Sequence, residues 1–274
     1  MGSVSLLVVW TAVPKAVAVS IAVSPVDTNG GSALANAILD AGVTATNVRY
    51  TGANSQAGTF TGGTAAGLGF DAGIILTTGS AGNAGWPVLS HASTNLGSAG
   101  HAPLTTLAGR TTYDANVLTF DFVVGDGAAG KNVFFNFIFA SEEYVGPDPE
   151  DIFGLNDAFA IYLNGVNVAM LPGTTTAVSV DNVNPTANEG FYVANPGGPG
   201  VVYDGFTTNI QVSLLALAAG PQTIEFAIAD VGDGTYDSAV LIQAGSLSGV
   251  PEPSTLSLLA VGLGVILRRR RRTV

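Results

Sequence analysis

No cysteine occurs anywhere in the 274 residues, which excludes a disulfide scaffold, thiol catalysis and Cys-ligated zinc or iron–sulfur centres. Charge is scarce as well: Asp, Glu, Lys and Arg together make up 11%, less than half of the ~25% usual in globular domains. Basic residues are the scarcest, 9 against 20 acids for a net charge of −11, a balance that argues against nucleic acid as a partner. The sequence contains no GxSxG, no HExxH, no GxxxxGK[ST] and no EF-hand spacing, so the corresponding hydrolase, metalloprotease, nucleotide and calcium-loop chemistries have no motif to rest on. What abounds is glycine, with 36 residues, and apolar side chains, at 47%. That composition belongs to a folded, loop-rich chain long enough to bury a large core.

The few charges are strongly sorted along the chain. Residues 23–250 carry 19 acids against Arg49, Arg110 and Lys131, whereas the segment from Pro251 onward carries Glu252 and the block Arg268, Arg269, Arg270, Arg271 and Arg272. Blocks of like charge mark interaction segments rather than core. Before the arginines, Ser254 to Leu267 is an uncharged and mostly apolar run. As a helix it reaches about 21 Å against a hydrocarbon core of about 30 Å, short for a span unless the bilayer thins and the arginines snorkel. An apolar run ending in arginines fits a stop-transfer signal with its positive end in the cytoplasm, and a C-terminal transmembrane helix is expected there.

The order Pro251-Glu252-Pro253, short apolar helix, terminal arginine cluster resembles the PEP-CTERM sorting signal of Gram-negative bacteria, here over 250–274. The resemblance implies that an exosortase, a membrane-embedded cysteine protease-transpeptidase, is the processing partner. It would remove the tail near the Pro-Glu-Pro motif and pass the protein from the inner membrane to the cell surface or the exopolysaccharide matrix. An export leader is then required, and residues 1–22 partly supply one. Apolar stretches flank Lys15, with small-residue cleavage patterns at Ala16-Val17-Ala18 and Ser20-Ile21-Ala22, but no positive charge precedes the first apolar run.

Between these ends, 23–249 read as one domain. Alternation of period two runs through KNVFFNFIFA, where Val133, Phe135, Phe137 and Phe139 share a face, and through TFDFVV, AFAIYL, TIEFAIAD and SAVLIQAG. Asn164-Gly165 is a two-residue hairpin signal. Such strands need a second apolar layer, so the expected fold is all-β, mainly an antiparallel, jelly-roll-like β-sandwich. One short N-terminal helix is expected, capped by Ser32 and stopped at Asp40-Ala41-Gly42. Residues 79–110 are rich in Gly, Ser and Asn with little periodicity, the mark of a functional loop or of a missed strand. The successive blocks VTATNVRYTGANSQAGTFTGG, GFDAGIILTTGSAGNA, FNFIFASEEY, NDAFAIYLNGVNVA, YDGFT and AIADVGDGTYDSAVLIQAGS resemble, in order, the choice-of-anchor L domain. That resemblance implies an extracellular location and no established activity.

Two acidic clusters carry what chemistry the sequence offers: Glu142, Glu143, Asp148, Glu150, Asp151 and Asp157, then Asp230, Asp233 and Asp237. Hard oxygen ligands concentrated at strand ends suit Ca²⁺, and carboxylates this close repel unless a cation or protons intervene. The candidate ligands are Glu142, Glu143, Asp151, Asp157, Asp230, Asp233 and Asp237; local turn chemistry explains the same residues without a metal. No other cofactor and no catalytic residue is implied. Glycoside hydrolases also use two carboxylates. Glu142 and Glu143 fall on opposite strand faces, so that reading needs one of them paired with Asp230 or Asp237. Trp86, Tyr113, Tyr144 and Tyr236 suit sugar stacking only where exposed, and His91 and His101 are a weak metal pair. The expectation is a non-enzymatic, adhesive or exopolysaccharide-matrix component, with a polysaccharide-active hydrolase on the same scaffold as the alternative.

Overall fold

The computed structural model describes residues 20–22, 30–85, 91–144, 156–196 and 200–249. The expected leader up to residue 19, Trp86, the acids Asp148, Glu150 and Asp151, and the tail from Pro251 lie outside them. Two antiparallel sheets face each other, as the alternation requires. The five-stranded sheet runs β2 (Val43–Thr51), β5 (Thr112–Val124), β12 (Gln222–Val231), β7 (Ala158–Leu163), β8 (Val166–Asn167). The eight-stranded sheet runs β1 (Ser20–Ala22), β3 (Ala57–Thr61), β4 (Gly73–Thr77), β13 (Ser238–Gln243), β6 (Val133–Ser141), β10 (Gly205–Thr207), β9 (Tyr192–Ala194), with β11 (Ile210–Leu214) also on β6.

The core between the sheets is aromatic because the Phe-rich strand delivers every second side chain to it. Phe135, Phe137 and Phe139 of β6 meet Phe226 of β12 and Phe159 of β7, with ring centroids 5.3–5.7 Å apart. Phe120, Phe122, Ile224, Ile228, Val240 and Ile242 complete the layer. The opposite faces are covered too. Ile138, Ala140, Ala239 and Leu241 on the outer face of the larger sheet lie with Leu68, Phe70 and Tyr203 from loops. Ala115, Val117, Ala160, Ala227 and Ala229 on the outer face of the smaller sheet lie with Leu104. The hairpin turn at Asn164-Gly165 has both residues at positive φ, 48° and 83°, as a type I′ turn needs.

Two expectations are corrected. The first helix, α1 (Gly30–Ile38), begins two residues before Ser32, so Ser32 lies inside it rather than capping it. There is also a second helix, α2 (Ala102–Ala108), within the stretch expected to be a loop or a strand. Its seven residues show too little apolar periodicity to detect; Pro103 in its first turn and Gly109 at φ 67° as its left-handed cap set its limits. Among the described residues, no helix is long and apolar enough to cross a membrane; the expected transmembrane segment lies outside them.

Phe226 contacts both Phe120 and Phe135 and is fully buried, so Phe226→Ala leaves a cavity at the centre of both sheets. A loss of about 3–5 kcal/mol is expected in chemical denaturation.

Candidate functional site: a buried carboxylate nest

Strand register, rather than sequence proximity, assembles the acids. In the smaller sheet Ala229 pairs with Ala158, so one step further the antiparallel ladder sets Asp230 opposite Asp157. In the larger sheet Ser238 pairs with Ser141, which sets Asp237 opposite Glu142; the Glu142 N–H donates to the Asp237 carbonyl at 3.2 Å. The two sequence clusters therefore form one nest, with a cross-strand pair of acids in each sheet. Such pairs are ordinarily destabilising. By alternation, Asp157 follows the interior-facing Phe159 and Ile161, whereas Asp237 and Glu142 follow the outward-facing Ala239, Leu241, Ala140 and Ile138.

The outer pair binds a strap. Residues 91–99 cross the nest outside any sheet, turning at Gly97 (φ 66°), and alternate backbone amides donate to buried carboxylates. Ala92 N–H reaches Glu142 Oε1 at 2.7 Å, and Thr94 N–H reaches Asp237 Oδ1 at 2.8 Å. Leu96 and Ser98 N–H take the two oxygens of Asp114 at 2.8 and 2.5 Å. In return the Asp237 N–H donates to the Ala92 carbonyl at 3.0 Å. Asp237 fits only because residue 79 is glycine: a Cβ there would collide with its carboxylate.

The inner pair is less well satisfied. Asp157 Oδ1 accepts the Val231 N–H at 3.1 Å, and Glu143 Oε2 accepts the Asp157 N–H at 2.7 Å. Asp157 Oδ2, Asp237 Oδ2 and both oxygens of Asp230 are buried with no hydrogen-bond partner. The hydroxyls of Thr78 and Ser238 lie beside Asp230 and Asp157 and ease their charge. Burial is the main cause that lifts every one of these acids. Asp230 rises to about 10 with Asp157 beside it, Glu142 and Glu143 rise to about 8, and Asp237 rises to about 6. Asp157 is pushed well above the usual carboxylate range by burial and by Glu143.

Not all the expected candidates belong to this nest. Asp233 is exposed, and its Oδ1 accepts from the Thr235 N–H and hydroxyl at 3.0 and 2.8 Å, the local turn chemistry its position suggests. Asp151 falls outside the described residues. Among the described residues no three acids are grouped in a ready metal shell. A hydrolytic pair is also disfavoured in place, because Glu142, Asp230 and Asp237 are buried. Tyr144 is buried against Tyr192 and has no face to offer a sugar, whereas Tyr113 and Tyr236 are exposed. His101 lies 3.4 Å from Glu225. Sequence reasoning missed Asp114, which stands alone in TTYDANV and signals nothing until the strap lies on it. It missed Gly79 for the same reason.

Raised native pKa values give the nest a definite pH dependence. With all these acids easier to ionise in the unfolded chain, their contribution is complete below about pH 4 and is lost as pH rises through about 6, 8 and 10. In EDTA, unfolding free energy is expected to fall between pH 5 and pH 9. Asp230→Asn, neutral and of the same shape, is expected to flatten that slope and to be the more stable protein at pH 9.

Compared with known families, residues 23–248 match the choice-of-anchor L domain, and residues 249–272 match the PEP-CTERM protein-sorting motif. No curated protein and no solved structure matches the chain. The sheets, the nest and the strap thus form the described body of the matched domain, with the sorting motif directly behind it, and the chain belongs to the choice-of-anchor L family.

Proposed function

We propose that this protein is a non-enzymatic component of the cell surface or of the exopolysaccharide matrix, with an adhesive role, delivered there after exosortase processing. Export and exosortase sorting follow from the C-terminal motif. The observation that carries the rest is the contrast between the ends and the body. A domain with 19 acids and three bases precedes a foot of five arginines, and the acids that look catalytic in sequence are spent holding backbone. The arginines keep the foot on the cytoplasmic side until cleavage near Pro251-Glu252-Pro253 frees the domain.

Ca²⁺ is the ion we assign to the nest, at Glu143, Asp157 and Asp230. Buried carboxylate oxygens without partners are costly, and a hard divalent cation would satisfy them and cancel the mutual repulsion. Because the acids are not gathered in a ready shell, binding would draw them together and the affinity would be in the extracellular range, about 10⁻⁴–10⁻³ M. The leader also has a structural consequence. Ser20–Ala22 pairs with Thr59–Thr61 as an edge strand, so cleavage after Ala18 retains β1 and cleavage after Ala22 removes it.

Two measurements test this reading. Replacing Glu252, or the five arginines, is expected to leave the protein unprocessed at the inner membrane of its native host; normal surface delivery of both variants overturns the sorting role. Calcium at millimolar concentration, added to metal-free protein at pH 8, is expected to raise the melting temperature by several degrees and to do so less in Asp230→Asn. No shift in the wild type removes calcium from the account.

A further inference from the structure

On the outer face of the smaller sheet, away from the core, a cleft of about 530 Å³ opens between β2, β5, β12 and the end of the strap. Its polar residues form a row fixed by register: Arg49 of β2 pairs with Thr119 of β5, and Thr119 pairs with Glu225 of β12. A bulge in β2 creates that row. The register slips between Thr46 and Arg49, with Asn47 at φ 52°. The slip keeps Val48 and Tyr50 packed on the core while Arg49 and Thr51 turn outward. The opposite wall is residues 98–101. They are held by the Ser98 N–H on Asp114, by the Ala115 N–H on the Ala99 carbonyl and by the His101 N–H on Thr112 Oγ1. Gly52, Ala53, Ala99, Gly100 and Ala115 line it with small side chains, which is why there is room.

We propose that this cleft binds a neutral, polyhydroxylated ligand, a sugar unit of a glycan chain. Its volume lies within the range of small-ligand sites. Arg49 is exposed and offers donors only, while Glu225 offers acceptors only. Glu225 is held in place from two sides, by the Thr119 hydroxyl on Oε2 at 3.2 Å and by His101 Nε2 at 3.4 Å from Oε1. A fixed acceptor and an exposed guanidinium two strands apart in one row suit hydroxyls on opposite sides of a sugar unit, each of which both donates and accepts. Simple ions fit less well. An anion drawn to Arg49 meets Glu225, and Asp121 lies close enough to Arg49 to feel its charge; a cation drawn to Glu225 meets Arg49. With a single carboxylate in the cleft lining, the chemistry is binding rather than two-carboxylate hydrolysis. This names a ligand class for the matrix role proposed above and rests on that reading only for its biological meaning; the cleft can bind whether or not the tail is sorted.

The purified full chain, kept in a detergent without sugar headgroups, is titrated calorimetrically with maltotriose, cellotriose, mannotriose and galactotriose, with glucuronic acid as the anionic control. At least one neutral trisaccharide is expected to bind with a Kd of about 10 mM or tighter, and Arg49→Ala and Glu225→Ala are each expected to weaken it by about tenfold or more. Melting curves report whether each variant is folded, and Arg49→Lys with Glu225→Gln replace any that is not, again with an expected loss of binding. The proposal is overturned if none of the four trisaccharides binds, if glucuronic acid binds in their place, or if binding survives every folded variant. Localisation of the protein in its host enters none of these readouts.

Discussion

Burial of acids without bases is the constraint around which the described structure is arranged. Asp157 opposite Asp230 and Glu142 opposite Asp237 put two pairs of acids at one end of the sandwich, and Arg49, Arg110 and Lys131 are the only lysine or arginine residues in the domain. Backbone N–H groups stand in for the missing cations. Each carboxylate that holds the strap accepts a main-chain hydrogen bond at 2.5–2.8 Å, a charge-assisted bond when the acid is ionised. The strap in turn has no sheet partner for those amides, and buried N–H groups must find acceptors. Each side supplies what the other lacks.

The same arrangement links the nest to the cleft. Asp114 holds Ser98 from below, and Ser98 with the next three residues forms a wall of the cleft. The smaller sheet therefore carries acids at its end and a mixed donor and acceptor row on its outer face, with the strap passing from one to the other. The backbone bonded to Glu142, Asp237 and Asp114 thus continues into the backbone that shapes the cleft.

Different parts of the architecture were legible to different degrees. The strands were readable because a half-buried or doubly buried strand writes its period of two directly into the side chains, as Val133, Phe135, Phe137 and Phe139 do. The Asn164-Gly165 turn was readable because few other pairs accept two positive φ values cheaply. Helix α2 was not, since seven residues lying on an alanine-rich sheet face need only Leu104 and small neighbours. The acids were visible as two clusters. Their burial was not visible, because Asp in a loop-like string such as ADVGDGTYD reads as solvated turn chemistry, which holds for Asp233 and fails for Asp230 and Asp237.

By itself, then, the sequence determined the charge sorting, the strand alternation and the address at the C-terminus, all of which are local in the chain and need no partner to be read. Tertiary structure alone decided which acids meet. Register across β12–β7 and β13–β6 fixes Asp230 against Asp157 and Asp237 against Glu142, and strand pairs distant in sequence are set by the packing of whole sheets rather than by any short motif. It also decided that a loop stretch becomes a strap and that a bulge at Asn47 turns Arg49 to the outer face of the sheet. In each case the cause is a long-range contact, and the residues involved carry no mark of it in their own neighbourhoods.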